Sequence, residues 1–282
     1  MMKPIRIGVV RFLNTCPLIE GLDKCADLEL VAAVPSQITP MLERGEIDIG
    51  LVSSIDFALS STPLSIIPVG GIACCGPTLT VRIFSRIEPE RITCLAVDTD
   101  SHTSVVLAQV VLNRMYAARP RIVDFDAREG VSAGEATEDP WPESLLLIGD
   151  KVVTQSPPAI RYPYQIDLGQ AWLEMTGLPF VYAVWMCRRD AEDEPKILHA
   201  AALLERQRLR NRERLDWIIT TRAREKGWPD DLARQYLRER LRFECGPEER
   251  EALERFFAES SELGLTPPVC ARWVDVSRAL RV

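Results

Sequence analysis

The chain has 282 residues, a formal net charge of −7, 46% hydrophobic residues and 27% charged residues. This length allows one large or two medium domains with a substantial core, and the composition is typical of soluble globular proteins. The negative charge argues against nucleic acid or an anionic membrane surface as a partner, because neither would attract the chain electrostatically. The chain enters a strand within a few residues and has no stretch long enough to cross a bilayer, so we expect a cytoplasmic protein.

The eight cysteines contain no Cys-x-x-Cys pair, and several of them lie in apolar runs. This pattern favours buried free thiols in a reducing compartment over a zinc site, so we expect no metal. Neither a P-loop nor a Gly-x-Gly-x-x-Gly motif follows the first predicted strand, which disfavours a nucleotide cofactor. We therefore expect no cofactor.

The first quarter of the chain alternates apolar runs with helical segments. Strands are predicted at 5–10, 28–34, 47–52 and 64–75, with a helix after each of the first three. Gly45 has the position of a residue just past a helix C-terminus. This alternation predicts a parallel sheet with right-handed crossovers.

The functional prediction depends on Asp48–Asp56, which reads Asp-Ile-Gly-Leu-Val-Ser-Ser-Ile-Asp. Its apolar run is typical of a strand buried on both faces, and it ends in Ser53 and Ser54 before a helix. In open α/β sheets the carboxyl ends of the strands hold small ligands, and a helix N-terminus there favours an anion. The alternative interpretation is an ordinary serine cap, which is the commoner case for such a pair taken alone.

A second unit of the same design follows later in the chain. A strand at 92–98 leads into the hydroxyl-rich run 99–104 and an apolar helix at 105–115. His102 stands at the start of that helix, which suits a ligand contact or a proton transfer and equally suits a residue with no function. Asp150, after a strand at 144–148, is either a helix cap or a base, with a cap the commoner case.

Further strands are predicted at 79–85, 121–125 and 180–187. The proline-rich segment Pro157–Pro163 should be extended, and a helix from Asp167 should end at Gly177. Beyond residue 190 the chain reads as helical, over 195–226, 230–241 and 247–263. The run of arginines at 206–214 in the first of these helices has acidic neighbours at Glu205 and Glu213, so a solvated helix face is expected, although a subunit contact and a homodimer stay open.

This order of elements predicts two α/β lobes with a ligand cleft between them and a helical C-terminal region. We place lobe one at 1–85 plus 186–282 and lobe two at 86–185. The polar residues at the predicted strand ends are uncharged, which suits a carboxylated small molecule held by hydrogen bonds and helix N-termini. They are Asn14, Ser53, Ser54, Thr78, Ser101, Thr103 and Ser104. Asn14 alone could be merely a helix cap.

Six motifs in this order resemble the chorismate dehydratase family, which opens the futalosine route to menaquinone. The motifs are Phe12-Leu13-Asn14-Thr15-x-Pro17-Leu18, Asp48–Ile55, Gly76-Pro77, Asp98–Ser104, Leu147–Asp150 and Asp167–Phe180. The resemblance covers about residues 1–190. It implies a type II periplasmic-binding-protein-like fold used as a cytoplasmic enzyme, in agreement with the two predicted lobes.

The resemblance also implies loss of water from chorismate, giving 3-[(1-carboxyvinyl)oxy]benzoate without a metal or an organic cofactor. On this hypothesis the enolpyruvyl carboxylate of the substrate takes the proton and Asn14 orients that carboxylate. Ser54 or Thr103 supports the leaving oxygen. The substrate-binding residues are then Ser53, Gly76, Pro77, Thr78, Ser101, His102, Ser104, Gly149 and Asp150.

Two departures from the family pattern each remove a positive charge. Cys16 stands where members often have Lys, and His102 stands where Arg is expected beside the Thr-Ser pair. Protonated His102, Arg11 or Arg82 could replace that charge. Two other functions remain possible: a cytoplasmic small-carboxylate binding or sensor protein of the same fold, and the sister cyclase that acts on dehypoxanthine futalosine.

Overall fold

The computed structural model describes residues 3–98, 102–125, 141–154 and 156–277. The strands are β1 (Ile5–Val9), β2 (Leu28–Ala32), β3 (Ile49–Ser53), β4 (Leu64–Cys74), β5 (Val81–Ser85), β6 (Cys94–Asp98), β7 (Arg121–Phe125), β8 (Ser144–Ile148), β9 (Tyr164–Asp167), β10 (Phe180–Arg188) and β11 (Leu241–Arg242). The helices are α1 (Cys16–Ile19), α2 (Pro35–Glu43), α3 (Asp56–Leu59), α4 (His102–Tyr116), α5 (Lys151–Thr154), α6 (Leu168–Thr176), α7 (Pro195–Glu213), α8 (Leu215–Glu225), α9 (Asp230–Arg234) and α10 (Pro247–Glu262). None of the helices within these ranges has the length and apolarity needed to cross a membrane.

The first sheet has the strand order β11-β4-β10-β3-β1-β2. β1 runs parallel to β2 and β3, as the alternation of strands and helices predicted. β10 lies between β3 and β4 and is antiparallel to both, so the sheet is mixed rather than purely parallel. β10, which comes later in the chain, is thus inserted between two strands of the first sheet that come from the first part of the chain.

The second sheet has the order β7-β6-β8-β5-β9. β6 is parallel to β7 and β8, whereas β5 is antiparallel to β8 and β9. β5 therefore belongs to the second sheet and β10 to the first. If the chain is divided by sheet, the boundaries fall just before β5 and between β9 and β10. The predicted boundaries, after residues 85 and 185, each differ from these by one strand.

One apolar core connects the two sheets. It includes Val52 and Val184 from the first sheet and Ile83 and Leu146 from the second, all fully buried. Trp172 on α6 is also fully buried, and its indole N–H donates to the Pro179 carbonyl at 3.0 Å. The two sheets therefore pack against a shared apolar core.

Several sequence predictions of the later elements were wrong in detail. The segment predicted to be extended at 157–163 contains a short 3₁₀ helix at Ala159–Arg161. The helix predicted over 195–226 is broken at Arg214, where α7 ends and α8 begins. The next helix passes into a π-helical turn at Gln235–Arg240, and Leu241 then pairs with Cys74 of β4. This pairing carries the C-terminal region to the edge of the first sheet.

Candidate active site between the two sheets

A hollow lies where strands of both sheets end. It encloses about 670 Å³ of space free of atoms, part of which is open to solvent. Leu51 and Ile72 from the first sheet and Val81 and Ile148 from the second form apolar walls. The polar side chains that line it are Asn14, Thr15, Ser53, Thr78, Thr80, Ser104, Tyr182 and Tyr236.

Asn14 occupies a short 3₁₀ turn, Leu13–Thr15, that follows β1. The Thr15 hydroxyl holds this turn, because it lies 2.7 Å from the Val10 carbonyl and 2.8 Å from the Phe12 carbonyl. The Asn14 Oδ1 atom is buried and has no hydrogen-bond partner among the described residues. A buried acceptor left unpaired is costly, so this atom is suited to a hydrogen bond from a ligand.

Tyr236 brings the C-terminal region into the site. Its hydroxyl lies 2.8 Å from Thr80 Oγ1, and Tyr236 lines the hollow together with Asn14. Burial raises the pKa of Tyr236, so the phenol remains neutral at physiological pH. Sequence analysis missed both Tyr236 and Thr80. Nothing in the local pattern around Tyr236 indicates a site, since only the folding of the C-terminal region places it there.

Ser53 and Ser54 have different surroundings although they are adjacent. Ser53 is the last residue of β3 and lines the hollow. Ser54 is fully buried; its hydroxyl donates to the Val181 carbonyl at 2.8 Å, and its N–H donates to the Tyr182 carbonyl at 2.9 Å. Ser54 therefore fixes the loop after β3 to β10 and does not line the hollow.

Thr103 and His102 join the start of α4 to the loop after β3. Thr103 Oγ1 accepts a hydrogen bond of 3.2 Å from the Ile55 N–H and lies 3.4 Å from the hydroxyl of Ser54. His102 Nδ1 lies 2.7 Å from Oδ1 of the buried Asp56, which raises the pKa of the imidazole. Neither residue lines the hollow. The adjacent Ser104, which was also predicted to bind substrate, does line it.

Gly76, Pro77 and Thr78 form the turn between the two sheets. Asp167 holds this turn, because its two carboxylate oxygens accept 2.9 Å hydrogen bonds from the Thr78 and Leu79 N–H groups. Leu79 has the unusual φ of +66°, and Gly76 has a φ of +103°. Thr78 lines the hollow, whereas Gly76 and Pro77 do not. The turn therefore contributes Thr78 alone of these three residues to the lining of the hollow.

Gly149 also lines the hollow, and its N–H donates to the Thr80 carbonyl at 2.8 Å. The Asp150 carboxyl does not line the hollow. Trp228 Nε1 approaches the same carboxyl without reaching hydrogen-bond geometry. Burial is the main cause that raises the pKa of Asp150.

The lining side chains of the described residues carry no charge. Of the cationic groups considered from the sequence, Arg11 is exposed, and Arg82 bonds to Gln165 at 3.1 Å and pairs with Asp167 at 3.8 Å. Cys16 is buried, which raises the pKa of its thiol to about 11. Ser101, also predicted to bind substrate, lies outside the described residues.

Comparison with known proteins agrees with the resemblance read from the motifs. A profile of the family described as menaquinone biosynthesis matches residues 5–262. The chain is 30% identical over 250 residues to the chorismate dehydratase of Thermus thermophilus, an alignment that covers 84% of this chain and 88% of that protein. The chain belongs to the menaquinone biosynthesis family.

Solved structures support the fold prediction for this family member. Protein AF1704 of Archaeoglobus fulgidus has a TM-score of 0.68 at 16% identity, covering 93% of this chain and 98% of that one. The periplasmic aliphatic sulphonate binding protein SsuA of Escherichia coli has a TM-score of 0.60 at 16% identity, covering 99% and 97%. At such low identity these likenesses concern the fold alone. They confirm the predicted periplasmic-binding-protein-like fold with a helical C-terminal region.

Proposed function

We propose that the protein is a hydro-lyase that removes water from chorismate and forms 3-[(1-carboxyvinyl)oxy]benzoate. The observation that carries this proposal is the hollow between the sheets, where Asn14 of the family-like first motif presents a buried, unpaired acceptor among neutral hydroxyls. Membership of the menaquinone biosynthesis family and the 30% identity to a chorismate dehydratase support it.

The reaction requires little chemistry from the protein. Chorismate loses the proton on ring carbon 3 and the hydroxyl on ring carbon 4, and the ring becomes aromatic. The enolpyruvyl carboxylate takes the proton, the C4–O bond breaks, and the departing hydroxide combines with that proton to form water. The apolar walls hold the ring while Asn14, Ser53 and Ser104 fix its orientation, so the reacting groups are held close together.

The uncharged lining supports this assignment of the base. A carboxylate moved from water into a site with apolar walls and no adjacent cation has a raised pKa, because burial disfavours its charged form. A raised pKa makes the substrate carboxylate a better proton acceptor. The replacement of family-typical Lys and Arg by Cys16 and His102 is therefore compatible with the reaction, since a cation near the carboxylate would weaken it as a base.

Ser54 and Thr103 receive a different role from the one expected from the sequence. Their side chains are buried in the contact between the loop after β3 and the start of α4. We assign Ser54 and Thr103 a structural role, which is to hold Ser53 and Ser104 at the hollow. The hydroxyl groups that line the hollow then support the leaving oxygen.

Incubation of the protein with chorismate tests the proposal. Formation of the aromatic product is followed by ultraviolet absorbance, and the product is identified by its mass, one water lower than that of chorismate. Chorismate that is bound but recovered unchanged would indicate a binding or sensor protein. Consumption of dehypoxanthine futalosine with chorismate left intact would indicate the sister cyclase. Either result would contradict the proposal.

A further inference from the structure

A second groove lies between α7 and the residues that follow α1. It encloses about 900 Å³ of space free of atoms, part of which is open to solvent. Four cationic side chains line it, which are Lys24, Arg206, Arg210 and Arg214. No residue that lines the hollow between the sheets also lines this groove, so the two lie at different places in the molecule.

Two side chains of α7 fix the position of the helix in this groove. Gln207 Nε2 donates to the Glu20 carbonyl at 2.6 Å, and Asn211 Nδ2 donates to the same carbonyl at 2.9 Å. Both side chains are buried. The cationic residues are their neighbours on α7, so the groove is lined by a helix whose position is fixed.

The acidic neighbours of these arginines bind other arginines. Glu205 accepts hydrogen bonds of 2.8 and 2.7 Å from Arg208. Glu213 accepts one of 3.2 Å from Arg212. Neither Arg208 nor Arg212 lines the groove, so these carboxylates neutralise charges outside it.

Glu20 is the one acidic residue in the lining. Its two carboxylate oxygens each accept a hydrogen bond of 2.8 Å, from Nε and from Nη2 of Arg222. Within the part of the chain that the structure describes, Lys24, Arg206 and Arg210 have no ion pair. The groove therefore keeps an excess of positive charge in a chain whose net charge is −7.

The spacing of the arginines makes this excess unfavourable without a ligand. Arg206, Arg210 and Arg214 are four residues apart, so their side chains are neighbours on one face of a helix, where like charges repel. An anion between them would relieve the repulsion. Each guanidinium presents N–H donors in a fork that matches the oxygens of a phosphate or a carboxylate.

We propose that this groove binds a small soluble anion that carries a diphosphate group. Several cations that face one neutralised carboxylate favour a ligand with more negative charge than a dicarboxylate, and a diphosphate has it. A small anion responds to the charges within about 8–10 Å, whereas a membrane or a nucleic acid also meets the negative charge of the whole chain. The inference does not depend on the proposed function.

Calorimetric titration with inorganic pyrophosphate at low ionic strength tests the site. We expect the wild type to bind, and Arg210→Gln to bind about fivefold more weakly, as for the loss of one partly screened charge contact. Arg210→Lys should lose less, because it keeps the charge. Arg212→Gln is the matched control, since it removes the same charge from the same helix outside the groove. It should bind as the wild type does.

Two results of this titration would overturn the inference. One is that the wild type does not bind pyrophosphate. The other is that Arg212→Gln loses as much affinity as Arg210→Gln, which would mean that only the total charge matters. Arg210 and Arg212 are both exposed, so their variants should unfold at the wild-type temperature and remain comparable.

Trp217 reports where the anion binds. Its side chain lines the groove and is 46% exposed, and the Arg214 guanidinium lies 4.5 Å from its ring centroid. An anion that contacts Arg214 should change the environment of this indole. We expect pyrophosphate to change the tryptophan emission of the wild type but not that of Trp217→Phe, which should still bind in the calorimeter. A change that persists in Trp217→Phe would place the anion elsewhere and overturn the inference.

Two further probes test the chemical class of the ligand. Malonate, a dicarboxylate, should bind about fivefold more weakly than pyrophosphate, and equal affinity would overturn the assignment to a diphosphate. Vesicles of phosphatidylglycerol should not carry the protein down on sedimentation. Sedimentation that depends on Arg210 would identify a membrane surface instead and overturn the inference. None of these measurements uses chorismate, so a failure of the proposed function would leave their results unchanged.

Discussion

The contact between His102 and Asp56 makes a pH-dependent contribution to stability. A hydrogen bond of 2.7 Å joins α4, which follows strand β6 of the second sheet, to α3, which follows strand β3 of the first sheet. Because Asp56 raises the pKa of His102, the imidazole binds its proton more tightly in the folded than in the unfolded chain. His102→Asn places a neutral N–H near the Nδ1 position, so it should keep the hydrogen bond and lose the charge. His102→Ala loses both.

The magnitude follows from the burial of the two groups. The Asp56 side chain is 2% exposed and that of His102 is 42% exposed. A charge-assisted hydrogen bond contributes about 1.5–3 kcal/mol, and screening at the half-open imidazole reduces the contribution of the charge to about 1 kcal/mol. A raised folded-state pKa adds stability that is complete below the ordinary pKa of 6.5 and is lost as the pH rises through the higher folded value. The wild type should therefore exceed His102→Asn by about 1 kcal/mol near pH 5.5 and by nothing near pH 9.

Urea unfolding of the wild type and both variants at several pH values measures this difference. The midpoints are compared at each pH, which does not require the unfolding to be two-state. His102→Ala should be less stable than His102→Asn at every pH, because it leaves the buried carboxylate without its imidazole partner. A gap between wild type and His102→Asn that is constant with pH, or that grows as the pH rises, would refute the assigned proton linkage.

Three further substitutions test the supports of the hollow. Gly169→Ala would place a Cβ 2.6 Å from the Gly76 carbonyl, so it should destabilise the protein by about 1–3 kcal/mol and lower the midpoint of thermal unfolding; an unchanged midpoint would contradict this packing. Thr103→Val leaves the buried Ile55 N–H unpaired and should cost about 1–3 kcal/mol in urea unfolding, whereas Thr103→Ser should cost much less. Asp150→Asn removes a buried charge whose pKa is raised in the folded chain, so it should gain stability relative to wild type as the pH rises from about 4 to 7; a gain as the pH falls would contradict the raised pKa.

The order of elements was predictable from the sequence because buried strands and helix stops have clear local patterns. Gly45 and Gly177 have φ values of +66° and +73°, as expected for residues just past helix ends. The apolar run of β10 was predicted as a strand. Its place between β3 and β4 was not, because sheet order depends on contacts distant in sequence.

The motifs read from the sequence contribute residues to the lining of the hollow, but the candidate site residues chosen within them line it only in part. In the two hydroxyl pairs, Ser53 and Ser104 line the hollow while Ser54 and Thr103 are buried beside it. Adjacent residues at a strand end or a helix start point in different directions, and the motif alone does not say which one faces a ligand. A motif therefore predicts the position of a site, but it does not predict which of two adjacent residues lines that site.

Tyr236 could not have been found from the sequence. It stands in a π-helical turn of a segment that was predicted as an ordinary helix, and its hydrogen-bond partner Thr80 lies 156 residues earlier in the chain. Only the pairing of β11 with β4 brings this segment to the hollow. Residues that reach a site through the packing of a distant segment have no local signal.

The central claim is that chorismate loses water in the hollow beside Asn14. Turnover of chorismate by Asn14→Ala, compared with wild type and with Asn113→Ala on helix α4, tests it most directly. We expect Asn14→Ala to fold normally and to lose about a hundredfold or more in kcat/KM, while Asn113→Ala retains wild-type turnover. Turnover by Asn14→Ala at the wild-type rate would contradict the claim.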